Sequence, residues 1–108
     1  MSQTIQVMTT TETREQAKAL ARHLLEQRVA ACVQIIGPIE SLYWWEDEIQ
    51  ESEEYLCIAK STISLYEALE AAILAAHPYD VPEIIAVPGT RTGAGYAAWL
   101  AKELGREA

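Results

Sequence analysis

The part of the sequence that most constrains the fold is a long strand-like stretch between two helical segments. Three runs rich in β-branched and aromatic residues follow one another there, at 29–36, 39–45 and 55–60. Gly37-Pro38 bends the chain after the first run, and the polar Glu46-Asp47-Glu48 is typical of a hairpin turn. This hairpin is longer than the other predicted strands. We therefore expect its tip, Tyr43-Trp44-Trp45, to project beyond the rest of the domain.

Helical periodicity flanks the hairpin on both sides. In the first segment, apolar residues recur at the spacing of one helix face, at Ala17, Leu20, Ala21, Leu24 and Leu25. Two possible capping boxes precede it, Thr9 with Glu12 and Thr13 with Gln16. The second segment has apolar residues at Leu65, Leu69, Ala72, Ile73 and Ala76. It should end at His77, because Pro78 follows.

Shorter elements at the two ends complete the predicted fold. Residues 4–8 alternate as a first strand, and 83–87 form a last strand that Pro88-Gly89 stops. A final helix should carry four larger side chains on one side, Tyr96, Trp99, Leu100 and Leu104. The order is strand, helix, strand, strand, helix, strand, with an added helix. It predicts an α+β fold of the split βαβ type, with residues 1–108 as a single domain.

The charge and the cysteines restrict the partners and the compartment. Sixteen acidic residues against eight basic ones give a formal net charge of −8. This charge repels phosphate backbones and anionic lipids, so we expect neither nucleic acid nor a membrane as a partner. We see no signal peptide and no apolar segment near the ~18 residues that span a bilayer. Cys32 and Cys57 lie in apolar runs, so we expect reduced thiols in a cytoplasmic protein.

Three features are candidates for metal chemistry, and each also has a simpler structural interpretation. His77, between a helix end and Pro78, could be a metal ligand or a proton donor, or could complete the helix. Cys32 could be a soft ligand for copper if His77 is near it, or could pack within a strand. A cluster of carboxylates could attract hard cations, but a solvated hairpin tip is the favoured interpretation. Its members are Glu46, Asp47, Glu48, Glu51, Glu53 and Glu54.

Lys60 and the aromatic run are candidates for binding. Lys60 could bind an anion or pair with a carboxylate across an interface, and the pairing is favoured. Tyr43-Trp44-Trp45 could stack on a ligand, but such residues more often form the buried centre of a protein interface. The sequence shows no phosphate-binding loop, no paired zinc-ligand motif and no base–nucleophile pair. We therefore do not expect an enzyme.

Five segments occur in an order typical of one family and together cover nearly the whole chain. They are Arg28-Val29-Ala30-Ala31-Cys32-Val33, Ser41-Leu42-Tyr43-Trp44-Trp45-Glu46, Ala59-Lys60-Ser61, His77-Pro78-Tyr79-Asp80-Val81-Pro82-Glu83 and Tyr96-Ala97-Ala98-Trp99-Leu100. On these segments the sequence resembles the divalent-cation tolerance proteins of the CutA family.

The resemblance implies a ferredoxin-like fold and a tight homotrimer in which the long hairpin pairs with neighbouring subunits. Such a trimer is similar to the PII-like signalling proteins. The family is associated with tolerance to copper and other divalent metals. Cys32 and His77 match the family's candidate metal ligands. Tyr43, Trp45, Lys60 and Tyr79 match positions near the clefts between subunits.

Three positions depart from the family pattern. Asp47 stands where Gly is usual, which strains the hairpin turn if that position needs a positive φ. Gly37-Pro38 stands where Pro-Gly is common and should shift the bend. Gly89 replaces an apolar residue, so we expect a looser last loop.

The resemblance therefore implies a trimeric, non-enzymatic protein that binds copper (Cu²⁺) or a related divalent metal ion and contributes to metal homeostasis. We expect no obligatory cofactor, and nearby carboxylates should improve capture of the ion. Two alternatives remain open from the sequence. One is a PII-like signalling module that binds a small ligand at the inter-subunit clefts, and the other is a stable trimeric scaffold with no ligand of its own.

Overall fold

The computed structural model describes residues 3–105, in which four strands and three α-helices follow the predicted order. They are β1 (Thr4–Thr11), α1 (Arg14–Glu26), β2 (Cys32–Trp45), β3 (Glu48–Thr62), α2 (Tyr66–Ala76), β4 (Ile85–Pro88) and α3 (Ala94–Leu104). A 3-10 turn, Ile63–Leu65, leads directly into α2. The predicted α+β class is confirmed.

The four strands form one antiparallel sheet in the order β2-β3-β1-β4. The helix α1 connects β1 to β2, yet β3 lies between these two strands. This insertion of one strand between two that a helix connects is the predicted split βαβ arrangement. The chain measures 45 Å along its longest axis, against 25 Å and 22 Å across, because the β2–β3 hairpin extends beyond the sheet.

The first strand is longer than the sequence pattern suggests. We expected it to end at Met8, but Thr9, Thr10 and Thr11 continue it and pair with Cys57, Leu56 and Tyr55 of β3. Threonine is β-branched and fits a strand well, which explains the extension. The threonines of this run therefore do not cap α1.

The capping box of α1 is formed one turn later, by Thr13 and Gln16. The Gln16 N–H donates to Thr13 Oγ1 at 3.1 Å, and the Thr13 N–H donates to Gln16 Oε1 at 3.2 Å. The prediction of this box is confirmed, and the alternative box, Thr9 with Glu12, is wrong. Both backbone donors would otherwise lack a partner at the helix start, so the box fixes where α1 begins.

Two clusters of buried residues hold the helices in place. The main core joins Ile5 and Val7 of β1 to residues of both long helices, namely Leu20, Leu24, Leu69 and Ile73. Each such side chain contributes about 1.5–3 kcal/mol on burial. The smaller cluster joins Leu100 and Leu104 of α3 to Leu65. Tyr96 and Trp99, predicted on the same side of α3, are each 40% exposed.

The other face of the sheet is apolar but only partly covered in a single chain. Successive side chains of a strand point to opposite faces of the sheet. Val7, Cys57 and Ala59 are buried on the face that the helices cover. Their neighbours Met8, Leu56 and Ile58 therefore lie on the other face and are only partly buried. At the flanking strands this face continues through Ile36 and Ile85, which are 49% and 52% exposed. An apolar sheet face of this kind is typical of an interface.

The outer half of the hairpin has only two strands. Pairing between β1 and β3 stops at Thr11 and Tyr55, whereas β2 and β3 stay paired to Trp45 and Glu48. The apolar side chains of this outer part are exposed, with Trp44 at 71%. The tip therefore projects from the sheet as predicted.

At two positions, close packing explains why the residue is glycine. The β2–β3 register is irregular between Ile36 and Ile39, where the Gly37–Pro38 peptide is cis, and a Cβ on Gly37 would overlap the ring of Tyr55. The Gly89 N–H donates to the Thr4 carbonyl at 2.8 Å, and a Cβ there would lie only 3.2 Å from the same oxygen. This loop is thus tied to β1, contrary to the expectation that it is looser.

Two other strands also differ from the predicted bounds. The expected strand at 29–36 begins only at Cys32, because the Val29 N–H still donates to the Leu24 carbonyl at the end of α1. The last strand covers Ile85–Pro88 rather than 83–87, since its pairing with β1 begins at Ile85 and Met8. Within residues 3–105, none of the helices combines the length and the apolarity needed to cross a membrane.

We predict that Asp47→Gly stabilises the hairpin turn. Glu46 and Asp47 have φ of 53° and 66°, which is the left-handed geometry of a two-residue hairpin turn. A residue with a Cβ pays roughly 1–2 kcal/mol there, and glycine loses part of that advantage through its greater entropy when unfolded. The free energy of unfolding, measured in urea, should rise by up to about 1 kcal/mol.

Asp47→Ala is the matched control, because it removes the carboxylate but keeps the Cβ. It should be no more stable than the parent chain. A glycine variant that is less stable than the alanine variant would contradict the assignment of strain to this turn.

Candidate functional site

A groove of about 690 Å³ opens at the base of the projecting hairpin. One wall comes from β2 and the beginning of the hairpin, and the other from the segment after α2. The groove is lined by Thr10, Glu40, Ser41, Leu42, Tyr43, Trp45, Glu54, Tyr79, Asp80, Val81 and Glu83. Three of the four predicted cleft residues, Tyr43, Trp45 and Tyr79, are thereby brought together.

A buried carboxylate, Glu54, lies in this groove. Its residue is only 9% exposed, and its Oε2 accepts a hydrogen bond from the Tyr79 hydroxyl at 2.8 Å. Burial raises the pKa of Tyr79, and the hydrogen bond and negative charge of Glu54 raise it further. Tyr79 therefore stays protonated and acts as a hydrogen-bond donor to the carboxylate.

His77 connects the end of α2 to this groove through two hydrogen bonds with the backbone. Its Nε2 lies 2.8 Å from the Thr10 carbonyl oxygen, and the Tyr79 N–H donates to its Nδ1 at 3.0 Å. A carbonyl only accepts and an amide N–H only donates. The pattern therefore assigns the neutral tautomer, with the proton on Nε2.

The environment of His77 favours this neutral form. Burial lowers the pKa of His77, and the Thr10 carbonyl and the charge of Glu54 oppose that effect only in part. The ring also contacts the ring of Tyr79, with 4.8 Å between centroids. His77 thus fixes the start of the segment that carries Tyr79, and neither ring nitrogen is left free for a metal ion.

The remaining aromatic residues of the groove are on the hairpin. The Tyr43 hydroxyl lies 3.2 Å from the Ser52 hydroxyl across the two strands, which restrains the Tyr43 ring. Trp45 is 51% exposed, so about half of its surface is available for contact. These rings are positioned by the β2–β3 register, in which Tyr43 pairs with Gln50 and Trp45 with Glu48.

Lys60, the fourth predicted cleft residue, lies elsewhere in the same chain. It pairs with Gln6 on one side and Cys32 on the other, and it is not among the residues that line the groove. The groove is instead lined by Thr10, which lies four positions beyond Gln6 along β1. Four positions of a strand span about 13 Å. Within one chain, Lys60 therefore lies too far along the sheet to reach this groove.

Cys32 and His77 also lie far apart in the chain's fold, because they are near opposite ends of the sheet. Cys32 begins β2 beside Lys60, whereas His77 contacts Thr10 at the other end of β1. Cys32 is a free, partly exposed thiol near the Tyr96 hydroxyl, while Cys57 is buried with its pKa raised to about 11 by that burial. Within residues 3–105, no three His, Cys, Asp or Glu side chains lie close enough to hold a metal ion together.

The interpretation of Glu54 as part of a solvated acidic tip is wrong. The other five members of that cluster are exposed, but Glu54 is buried beside Tyr79. Its position just before the apolar run 55–60 was the available signal, because a residue adjacent to a central strand is often covered. Thr10, which contributes its carbonyl to His77 and lines the groove, was not predicted either.

Comparison with known proteins places the chain among close relatives. The family model described as CutA1 divalent ion tolerance protein matches residues 5–103. The divalent-cation tolerance protein CutA of Thermus thermophilus is 37% identical over 92% of this chain and 96% of its own length. The chloroplastic protein CutA 1 of Oryza sativa subsp. japonica is 43% identical over 89% of this chain. The matched part spans only 54% of that rice protein.

The fold agrees with solved structures as well. The crystal structure of CutA1 from Oryza sativa superposes with a TM-score of 0.93 at 40% identity, covering 99% of this chain and 97% of that one. CutA1 from Ehrlichia chaffeensis gives a TM-score of 0.92 at 36% identity over 96% and 97% of the two chains.

We predict that His77 makes the protein less stable as the pH falls. The folded state holds His77 neutral with a lowered pKa, whereas the unfolded chain binds a proton near the ordinary value of 6.5. The stabilisation is complete above that value and decreases below it. The free energy of unfolding, measured in urea, should therefore fall between about pH 7.5 and about pH 5.5.

The variant His77→Gln should reduce this pH dependence, because it does not titrate. At about pH 7.5 it should also cost roughly 1 kcal/mol, since the Tyr79 N–H loses its acceptor. His23→Gln, which changes the only other histidine, should keep the parent's pH dependence. Equal slopes in all three proteins would refute the role given to His77.

Proposed function

This chain belongs to the CutA1 divalent ion tolerance family, and from this membership we propose a homotrimeric, non-enzymatic protein that binds a divalent metal ion and contributes to metal homeostasis. The observation that supports self-association best is the apolar sheet face opposite the helices. Met8, Leu56 and Ile58 lie at its centre and are only partly covered by their own chain. Burial of these side chains against a second copy would stabilise the assembly by about 25 cal/mol for each Å² of apolar surface removed from water.

The projecting hairpin supports the same proposal. A two-stranded hairpin is marginally stable on its own, yet this one carries exposed Leu42, Trp44 and Ile49. Pairing with neighbouring subunits would cover these side chains and satisfy the outer edge of β2. The acidic hairpin turn then remains at the surface.

The proposed metal is copper or a related divalent ion. Cys32 supplies a free and partly exposed thiol, the type of soft ligand that copper prefers. Within one chain His77 is too far away to share an ion with Cys32. A joint site would therefore combine Cys32 of one subunit with His77 of another, and His77 would have to release a backbone hydrogen bond. The net charge of −8 raises the local concentration of cations in either case.

We also propose that the protein is cytoplasmic, since a partly exposed free thiol suits a reducing compartment. The rice relative is described as chloroplastic, so the compartment is a property of each protein rather than of the fold.

A second candidate function is supported by the groove. Its volume of about 690 Å³ and its wall of aromatic and polar side chains are typical of small-molecule sites. We propose, as the alternative to metal binding, a PII-like module that binds a small organic ligand where Tyr43, Trp45 and Tyr79 meet. Lys60 of a neighbouring subunit would complete the cleft.

We predict that the native protein has three times the mass of its 12.0 kDa chain. Ile58→Glu places a charge in the centre of the apolar sheet face and should dissociate the trimer. Native mass spectrometry measures both species. Leu74→Glu, on the exposed side of α2 at 53% exposure, is the matched control and should remain trimeric. A parent chain that is monomeric would refute the proposal.

We further predict that copper binding depends on Cys32. Native mass spectra of the metal-free protein with stoichiometric copper should show a defined number of bound ions. Cys32→Ser should lower the affinity by at least about tenfold, because it removes the soft ligand. His77→Gln tests the second ligand, and His23→Gln is its control.

Unchanged binding in Cys32→Ser and His77→Gln would remove both residues from the site. A broad, nonspecific series of copper adducts on an intact trimer would favour the small-ligand function instead.

A further inference from the structure

The lining of the groove combines carboxylates with aromatic rings. Its carboxylates are Glu40, Glu54, Asp80 and Glu83, and its aromatic rings are Tyr43, Trp45 and Tyr79. Among the residues that line it, none is Lys, Arg or His. A cavity with negative charge and aromatic walls attracts positively charged organic groups, because carboxylates and ring faces both favour a cation.

Among the described residues, no cationic side chain forms an ion pair with the Glu54 carboxylate. The carboxylate accepts one hydrogen bond, from the neutral Tyr79 hydroxyl. The Glu54 residue as a whole is only 9% exposed, so its side chain has lost most of its contact with water. Buried charges are normally paired, so this carboxylate is suited to a cation that enters the groove.

The groove suits an organic cation better than a metal ion. Its carboxylates do not form a three-ligand metal set within the described residues. Its volume of about 690 Å³ is far larger than a bare ion requires, whereas it lies within the range of organic ligands. The rings of Tyr43 and Trp45, at 42% and 51% exposure, offer the apolar contact that the body of such a molecule needs.

We propose that the groove binds the ammonium or guanidinium group of an organic cation, with Glu54 as its counter-charge. Tyr79 holds the carboxylate in position through its hydroxyl, and His77 positions Tyr79 through the backbone. The aromatic rings enclose the apolar part of the ligand. This inference rests on the second proposed function, the small-ligand site, and specifies the class of its ligand. The cation is a free molecule, and Lys60 of a neighbouring subunit is the competing counter-charge that the test distinguishes from it.

The test uses choline and its uncharged isostere, in which a tert-butyl group replaces the trimethylammonium. Both are titrated into the intact assembly, in the presence of a chelator, and followed by tryptophan fluorescence and calorimetry. Glu54→Gln removes the charge but keeps an oxygen that accepts from Tyr79. Glu53→Gln, the exposed neighbour on β3, makes the same change in net charge outside the groove.

We expect saturable choline binding that is at least about tenfold stronger than binding of the isostere. Glu54→Gln should lose this preference, and Glu53→Gln should keep it. If choline does not bind but Glu54→Gln alone lowers the Tm of the assembly, Glu54 has a structural partner such as Lys60 of a neighbouring subunit, and the inference is overturned.

Equal binding of choline and the isostere would overturn the inference and leave the small-ligand function in place. Absence of binding, with Glu54→Gln and Glu53→Gln equal in Tm, would also overturn it. A panel of anionic and neutral metabolites then tests the small-ligand function separately.

Discussion

The antiparallel pairing of β1 with β3 is the interaction on which the rest of the structure depends. It joins eight residue pairs from Thr4–Thr62 to Thr11–Tyr55 at the centre of the sheet. The outer strands β4 and β2 each pair with only one of these two strands. The end of this pairing also positions the groove, because Glu54 is the first residue of β3 beyond the reach of β1. The sheet narrows there to the two strands of the hairpin.

The sequence was sufficient for the order of elements and for the overall fold class. Helix periodicity and the long hairpin are local patterns, and they identified α1, α2 and the projecting tip. Element ends were less predictable, because they depend on pairing with distant residues. Thr9-Thr10-Thr11 could cap a helix or continue a strand, and the match with β3 decides between the two. The shortening of the strand expected at 29–36 has a similar origin in the contact of Val29 with Leu24.

The groove could be predicted only in part. Family resemblance identified Tyr43, Trp45 and Tyr79, which line the same groove, but Lys60 lies further along β3, beside Gln6 and Cys32. Residue type alone did not show how Glu54 and His77 are held in the fold. An acid among five exposed acids looked solvated until the register placed it against Tyr79. A histidine after a helix looked free to bind a metal, but the fold engages both of its nitrogens with backbone groups.

The two cysteines differ in their reactivity towards thiol reagents. Burial against the helices raises the pKa of Cys57 to about 11, so at neutral pH almost none of it is the reactive thiolate. Cys32, at the edge of the sheet, is reachable from solvent in the single chain. Of the two cysteine thiols, only that of Cys32 can thus be reached by alkylating and spectroscopic probes. The single folded chain can therefore be labelled at Cys32 without substituting either cysteine.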